Sequence, residues 1–368
     1  MMRILVESDH FLKILAVMLD PEAPEEHRRA VADFFAHDVP DFLAHCESFR
    51  PTIPGLFPAQ IAFAADQQQF EAGLPEADVV ILEGLTLDAR AVARLKPLAI
   101  VQKFGGILSN IDLDACGERR ITVLALPRQG NIAVAEQAFA LMIALAKEIG
   151  RYNGIVTAEA LRAKGHELKP YDRRYTGGSN YARIPGLRVL AGATLGIVGL
   201  GEVGRELAKR ANAFGMSIVY HQRTRLPAME ELTLGARYMA LQELMASADY
   251  IVVQLPLNDS TRYLIGREAL QAVKPGAILI DTARADLIDP EALIEALDTG
   301  RLAGLGMDVG YSEPWPPDDP LLNYRDGNVI LMPHTAVGDR RYGLADLEEM
   351  CRKIWRVIDN RRTGRRGQ

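Results

Sequence analysis

Residues 194–225, TLGIVGLGEVGRELAKRANAFGMSIVYHQRTR, carry the reading on which the fold turns. The β-prone run LGIV leads into Gly199-Leu200-Gly201-Glu202-Val203-Gly204, the helical run RELAKRANAF follows, and Ser217 to Tyr220 is β-prone again. In a strand–turn–helix unit of this kind, Gly199 permits the tight turn and Gly201 the close approach of a pyrophosphate. Gly204 lets the helix pack closely against the sheet. The unpaired amides and the positive end of the helix favour the phosphate charge. The six residues Gly199, Leu200, Gly201, Glu202, Val203 and Gly204 therefore form the expected dinucleotide turn, with the Glu202 side chain directed to solvent. The glycine pattern alone is weak; the strand before it and the helix after it separate it from an incidental turn.

The next strand ends in His221-Gln222-Arg223-Thr224-Arg225. An NAD site normally places Asp or Glu at this point to accept hydrogen bonds from the ribose hydroxyls. Here there is no carboxylate, but there are two guanidinium groups and a hydroxyl, chemistry suited to a 2′-phosphate. Gln222, Arg223, Thr224 and Arg225 are thus coenzyme candidates, and NADP(H) is expected over NAD(H), which remains possible. The competing reading is an exposed basic turn.

Downstream, ADYIVVQLP, GAILIDTA, AGLGMDV and GNVILMPH are short β-prone runs separated by helical EALQAV and DPEALIEALDTG. That alternation predicts a parallel sheet with right-handed crossovers. Upstream, strands are expected at residues 3–7, 78–82 and 99–103, and an amphipathic helix at 22–37. Prolines 40, 51, 54 and 58 predict an irregular stretch from Asp38 to Ala59. Residues 132–148 form the longest apolar helix, a candidate for burial between layers or subunits. The stretch 151–190 reads as an interdomain excursion, and 342–360 as a C-terminal helix ahead of the basic tail RRTGRRGQ, where fraying is expected.

The 368 residues carry 42 Lys plus Arg against 48 Asp plus Glu, a formal charge of −6. No basic excess marks a nucleic-acid binder. Three scattered cysteines, Cys46, Cys116 and Cys351, form neither a disulfide framework nor a metal-ligand spacing. No metal is expected. The N-terminus lacks a signal-peptide core, and the apolar run ending at Ala146 stops at Lys147, short of a bilayer span. A soluble, cytoplasmic protein without a membrane partner is expected.

Three polar residues each follow a predicted strand: Arg284 in IDTARADLID, Glu313 in GLGMDVGYSEP and His334 in VILMPHTAVG. Ligands bind at the carboxyl ends of strands in open parallel sheets, so the three are candidates to converge. A cation that orients a carboxylate, beside a histidine stabilised by a carboxylate, suits reduction of a 2-oxo acid. The bland readings are a packing histidine, a surface arginine and an ordinary acidic loop.

The order of QKFGGILSNIDLDAC, NIAVAEQAFALMIAL, TLGIVGLGEVGRELAKRANAFGM, VVQLPLNDSTRYLI, PGAILIDTARADLID, MDVGYSEP and MPHTAVG resembles the D-isomer-specific 2-hydroxyacid dehydrogenases, from about Ala99 to Gly338. The resemblance implies that Arg284 binds the substrate carboxylate and that His334, paired with Glu313, is the acid/base. Leu255, Pro256, Thr282, Ala283 and Asp308, in or beside these segments, complete the coenzyme set. A turn containing Gly106 and Ile107 would donate amides to the substrate carboxylate. The chain departs from the family pattern at Ile107 and Ala285, where glycine is usual, at Ser109, where aspartate is usual, and at Val337, often glycine. Asp281 stands where asparagine is common.

Lys103 either extends an anionic pocket or faces solvent, and Trp315 either walls the site or fills core. His166, Tyr171, Arg173 and Arg174 are candidates to reach a partner subunit, whereas Asn110, Asp259 and Thr261 read as turn residues.

The fold expected is α/β, two Rossmann-like domains with parallel sheets, the coenzyme domain inserted into the substrate domain. Its parts are 1–130 for substrate, 131–189 as a linking helix and dimerisation excursion, 190–333 for the dinucleotide and 334–368 returning to the substrate domain. The function expected is NADP(H)-dependent interconversion of a small 2-oxo acid, such as glyoxylate or hydroxypyruvate, and its D-2-hydroxy acid, by a homodimer. The alternatives are a non-catalytic dinucleotide sensor and a dehydrogenase of another small anion such as phosphite.

Overall fold

Two parallel sheets organise the chain, in a computed structural model that describes residues 1–324 and 327–364. The strands are β1 (Met2–Glu7), β2 (Ala59–Ala64), β3 (Val79–Leu82), β4 (Ile100–Lys103), β5 (Thr122–Ala125), β6 (Thr194–Val198), β7 (Ser217–His221), β8 (Ala236–Tyr238), β9 (Tyr250–Val253), β10 (Ala277–Asp281), β11 (Leu302–Met307) and β12 (Val329–Leu331). They divide between two compact units: Met1–Asn131 with Val337–Gln368, and Ile132–Ala336. The second unit is thus inserted in the sequence of the first.

The first unit has a five-stranded sheet in the order β2-β1-β3-β4-β5. Successive side chains of a strand face opposite sides, and both sides here are apolar. Ile4, Val6, Val79 and Ile81 join one core, and Leu5, Val80 and Leu82 join the other. The first core is closed by the helix Arg341–Thr363, whose Leu344, Leu347, Met350, Cys351 and Ile354 recur at helical spacing. Asp346 on this helix is buried, and both of its carboxylate oxygens accept from the Gln129 amide, at 3.1 and 2.9 Å.

Several local expectations need correction. The helix expected at 22–37 is Glu25–Phe35, bounded by Pro24. The stretch 38–59 is not irregular throughout: it holds the helix Phe42–Phe49, started by Asp41, whose side chain accepts from the Ala44 amide. Its prolines flank that helix. All six residues of the helix Ile14–Leu19 are buried, so it carries no amphipathic signature. The three cysteines are unlinked and buried, and burial pushes the Cys46 thiol up to about 12. Arg365 and Arg366 of the basic tail lie outside the described residues.

The second unit has a seven-stranded sheet in the order β12-β11-β10-β9-β6-β7-β8. The strand order reverses between β6 and β9, which makes a crevice at their carboxyl ends. The long apolar helix runs from Gln129 to Ala146. It is long and apolar enough to cross a bilayer by length and composition, contrary to the sequence-based expectation. In the fold its Ala135, Ala138, Phe139, Leu141, Met142 and Leu145 pack with Leu195, Ile197, Ile278 and Ile280 of the sheet. From Ile132 onward the segment set apart as a linker therefore belongs with the second unit. So do residues 334–336, because Asp308 binds the Thr335 and Ala336 amides.

Asp346 acts as a remote cap on the amino end of the helix Gln129–Ala146. Replacing it with alanine should lower stability by about 1–2 kcal/mol. Urea denaturation should show a smaller loss for D346N, whose amide oxygen still accepts.

Candidate active site

At the end of β6, Gly199 has a φ of 103°, and a Cβ there would lie 2.2 Å from the Gln254 carbonyl oxygen. A Cβ on Gly204 would lie 2.3 Å from the Gly199 carbonyl oxygen. No side chain fits at either position, so strand, turn and helix meet at backbone contact. Gly201, by contrast, is exposed, with open space where a Cβ would stand, and it begins the helix Glu202–Ala213. An open glycine ahead of a twelve-residue helix fits a dinucleotide pyrophosphate. Val203 packs on the core and Leu200 is buried. Glu202 is half-buried rather than directed fully to solvent.

The turn after β7 lies beside this one. Gln222 Oε1 accepts from the Leu200 amide at 3.2 Å, and its Nε2 donates to the Thr224 carbonyl. Arg223 and Thr224 are exposed. Arg225 is committed elsewhere: its Nε and Nη2 donate to the two carboxylate oxygens of Glu231, each at 2.8 Å. The expected pair of phosphate-binding guanidiniums is therefore unequal in this structure. Nothing in residue spacing reveals the Glu231 contact.

Across the crevice, Leu255 is half-buried, Pro256 is exposed, and Pro256 accepts at its carbonyl from the Thr261 hydroxyl. Thr282 is buried, and its hydroxyl accepts from Gln254 Nε2. Thr261 is a turn residue, as expected.

β10 delivers Asp281 and then Arg284. Asp281 is fully buried; its Oδ1 accepts from the Ala283 amide at 2.8 Å, and its Oδ2 has no hydrogen-bond partner. Burial pushes its pKa up to about 7, against the opposing hydrogen bonds of the Ala283 and Arg284 amides and the Arg284 charge. Arg284 is exposed and donates from Nη1 to the Ala283 carbonyl. Asp281 thus braces the turn from which Arg284 projects.

Glu313 and His334 meet. Glu313 Oε2 lies 2.8 Å from His334 Nδ1, and Oε1 accepts from the Gly310 amide at 2.9 Å. Burial works to raise the Glu313 pKa, but the bonds from His334 and Gly310 and the charges of His334 and Arg284 outweigh it and hold the carboxyl below its ordinary value. The histidine ring therefore keeps one nitrogen on an ionised carboxylate and leaves Nε2 for exchange with a ligand. His334 has a φ of 55°, in the left-handed region that costs a non-glycine residue energy. Asp308 holds it there. Buried Asp308 accepts from the Thr335 amide at 2.9 Å and the Ala336 amide at 2.8 Å, and from Gln137 Nε2. The Asp308 carboxylate, expected to serve the coenzyme, is occupied in supporting the histidine loop.

Trp315 packs on the second unit's core, with its indole nitrogen buried and unpartnered. His166 bonds to the Tyr152 hydroxyl, Tyr171 to the Asn180 carbonyl and Arg174 to Asp172, all local partners. Arg173 lies near Gly178.

Gly106, Ile107 and Lys103 belong to the first unit. Gly106 is exposed and Ile107 half-buried, beyond the positive-φ Gly105. Lys103 is buried, not solvent-facing; its Nζ donates to the Glu83 carbonyl and to Asn110 Oδ1. Asn110 in turn donates to the Glu83 and Leu85 carbonyls, a loop-tying role.

The comparisons with known proteins agree with this architecture. Residues 139–336 match the family model for the NAD-binding domain of D-isomer-specific 2-hydroxyacid dehydrogenases. A glyoxylate reductase of Thermococcus litoralis is 35% identical over 263 residues, covering 71% of this chain and 75% of that protein. A hydroxypyruvate reductase of Thermotoga maritima is 34% identical, covering 76% of this chain and 86% of that protein. The crystal structure of a glyoxylate reductase from Paecilomyes thermophila superposes with a TM-score of 0.52 at 25% identity, covering 96% of this chain and 94% of that one. The chain belongs to the D-isomer-specific 2-hydroxyacid dehydrogenase family. It is an oxidoreductase of 2-oxo acids and D-2-hydroxy acids that uses a nicotinamide dinucleotide.

Asp281 gives a test of the buried turn. Its folded pKa is raised, so the unfolded chain ionises first and wild-type stability falls as pH climbs from about 4 towards 7. D281N has no such charge to bury. Denaturation at pH 4 should show the two proteins nearly equal, and at pH 8 the variant should be more stable, by a few kcal/mol at most.

Proposed function

We propose that this enzyme reduces a small 2-oxo acid, glyoxylate or hydroxypyruvate, with NADP(H). The observation that carries the proposal is the 2.8 Å pair between His334 and Glu313 at the ends of two sheet strands, with Arg284 on the neighbouring one. A bound nicotinamide supplies or accepts the hydride. Arg284 grips the substrate carboxylate, and its charge stays fixed throughout. His334 donates a proton from Nε2 to the carbonyl oxygen as negative charge develops there, and Glu313 stabilises the charged ring that precedes transfer. In the opposite direction the neutral ring takes the hydroxyl proton.

The substrate range is supported by the relatives, which include glyoxylate and hydroxypyruvate reductases. The preference for NADP(H) is supported by exposed Arg223 and Thr224, with no carboxylate in residues 221–225. A cytoplasmic setting accords with three buried thiols. Homodimerisation is supported by the segment 149–189, which exposes Ile149, Val156, Tyr175, Tyr181, Leu187 and Val189.

With glyoxylate, hydroxypyruvate and bulkier 2-oxo acids as a panel, NADPH absorbance should report turnover of the small acids. H334A should lose at least about a hundredfold in kcat while keeping coenzyme affinity; equal loss of both would make the histidine structural. In E313Q the carboxylate that orients the His334 ring is gone, so kcat for reduction should fall at least about tenfold while coenzyme affinity is kept. An unchanged kcat would remove Glu313 from this role.

Light scattering tests the assembly. The wild type should elute as a dimer, and V156D/V189D should shift it towards monomer. An unchanged mass would place any interface elsewhere.

A further inference from the structure

Three buried carboxylates stand close to the coenzyme and substrate elements, and two of them, Asp281 and Asp308, brace backbone turns. The third, Glu231, binds a side chain. It sits on the helix Ala228–Leu234, directly after the basic turn, and is almost wholly buried. Besides the two bonds from Arg225, it accepts from the Tyr220 hydroxyl at 2.7 Å, and that hydroxyl accepts from the Leu226 amide at 2.8 Å. The chain from Tyr220 to Leu226 is thereby closed into a ring of hydrogen bonds, with residues 221–225 as its arc, exposed from Arg223 to Arg225. The Arg225 hydrogen bonds, then that from Tyr220, hold the Glu231 carboxyl down to about 2, so it is ionised at any working pH.

We infer that Glu231 is a specificity-determining residue for the coenzyme: by taking the Nε–Nη2 edge of the Arg225 guanidinium and neutralising its charge, it weakens that cation's hold on a 2′-phosphate and leaves Arg223 as the principal phosphate ligand of the turn. This rests on the NADP(H) reading for its biological sense. The bidentate pair uses one edge of the guanidinium fork that would otherwise help clasp a phosphate. Its carboxylate also cancels the Arg225 charge beside the turn, which lowers the local attraction for any added anion. Gln222, bonded to the Leu200 amide, ties the arc to the glycine turn, so the charge of the arc bears on whatever that turn holds.

Glutamine at position 231 keeps an oxygen for Tyr220 but no negative charge for Arg225. Calorimetric titration of the unliganded protein with adenosine 2′,5′-bisphosphate and with 5′-AMP reads the effect of the 2′-phosphate without turnover. In E231Q the ratio of the two affinities should rise about tenfold in favour of the bisphosphate. In R225M/E231Q it should return to within about twofold of wild type, because a neutral pair replaces an ion pair of no net charge. An unchanged ratio in E231Q, or a tenfold loss of bisphosphate preference in the double variant, overturns the inference; the second result would mean that Arg225 already grips the phosphate. If thermal melting shows that E231Q does not fold, the double variant decides alone. R223A is the separate control. If it leaves bisphosphate affinity unchanged, the NADP(H) reading fails, while the E231Q comparison still stands or falls on its own.

Discussion

A close backbone approach at the glycine turn of the second unit governs what is arranged around it. Neither Gly199 nor Gly204 has room for a Cβ, because a carbonyl oxygen stands within 2.3 Å of where it would be. The turn can therefore lie flat against β9 on one side and its own helix on the other. Once β6, the turn and the helix are locked in this way, the strand order reverses at β6 and β9. The carboxyl ends of β7, β9, β10, β11 and β12 then lie along one edge. Every functional candidate of this unit follows one of those ends or lies in the glycine turn. Substituting either glycine disturbs the register of the whole edge.

Buried acids hold the loops that this edge carries. Asp308 keeps His334 in its left-handed conformation through two amides, and Asp281 takes the amide just before Arg284. Glu231 anchors the arc after β7. A buried carboxylate without donors would be costly, so each fixes the groups that satisfy it. Asp281 is the incomplete case, with one oxygen unpartnered, and burial accordingly favours its proton. A protonated carboxyl has nearly the shape of a side-chain amide and, like it, offers both a donor and an acceptor. That explains how aspartate can occupy this place.

The parts of this molecule that were legible in the sequence share one property: a local pattern reports them. The glycine turn, the buried strands β3, β4, β9 and β10, and the trio Arg284, Glu313 and His334 all announce themselves through spacing or through an apolar run followed by a polar residue. What stayed hidden depends on contacts between distant residues or on uniform burial. The helix Ile14–Leu19 is buried on every side, so it has no polar face to betray its period. Four prolines masked the helix Phe42–Phe49, because a proline beside a helix reads the same as one within it. Lys103 ends a strand, and spacing does not announce its partners, the Glu83 carbonyl twenty residues back and the Asn110 side chain seven residues on.

The basic turn shows the same limit where it matters most for function. Arg223 and Arg225 are two residues apart, chemically identical and both exposed at the surface. Residue type and spacing assign them one role. The fold separates them, because only Arg225 meets a buried carboxylate that is itself pinned by a tyrosine. Counting cations near a phosphate site therefore overstates its charge unless their partners are counted as well. A turn with two arginines and one buried glutamate presents one net positive charge, and the acidic balance of the chain as a whole has no bearing on that local sum.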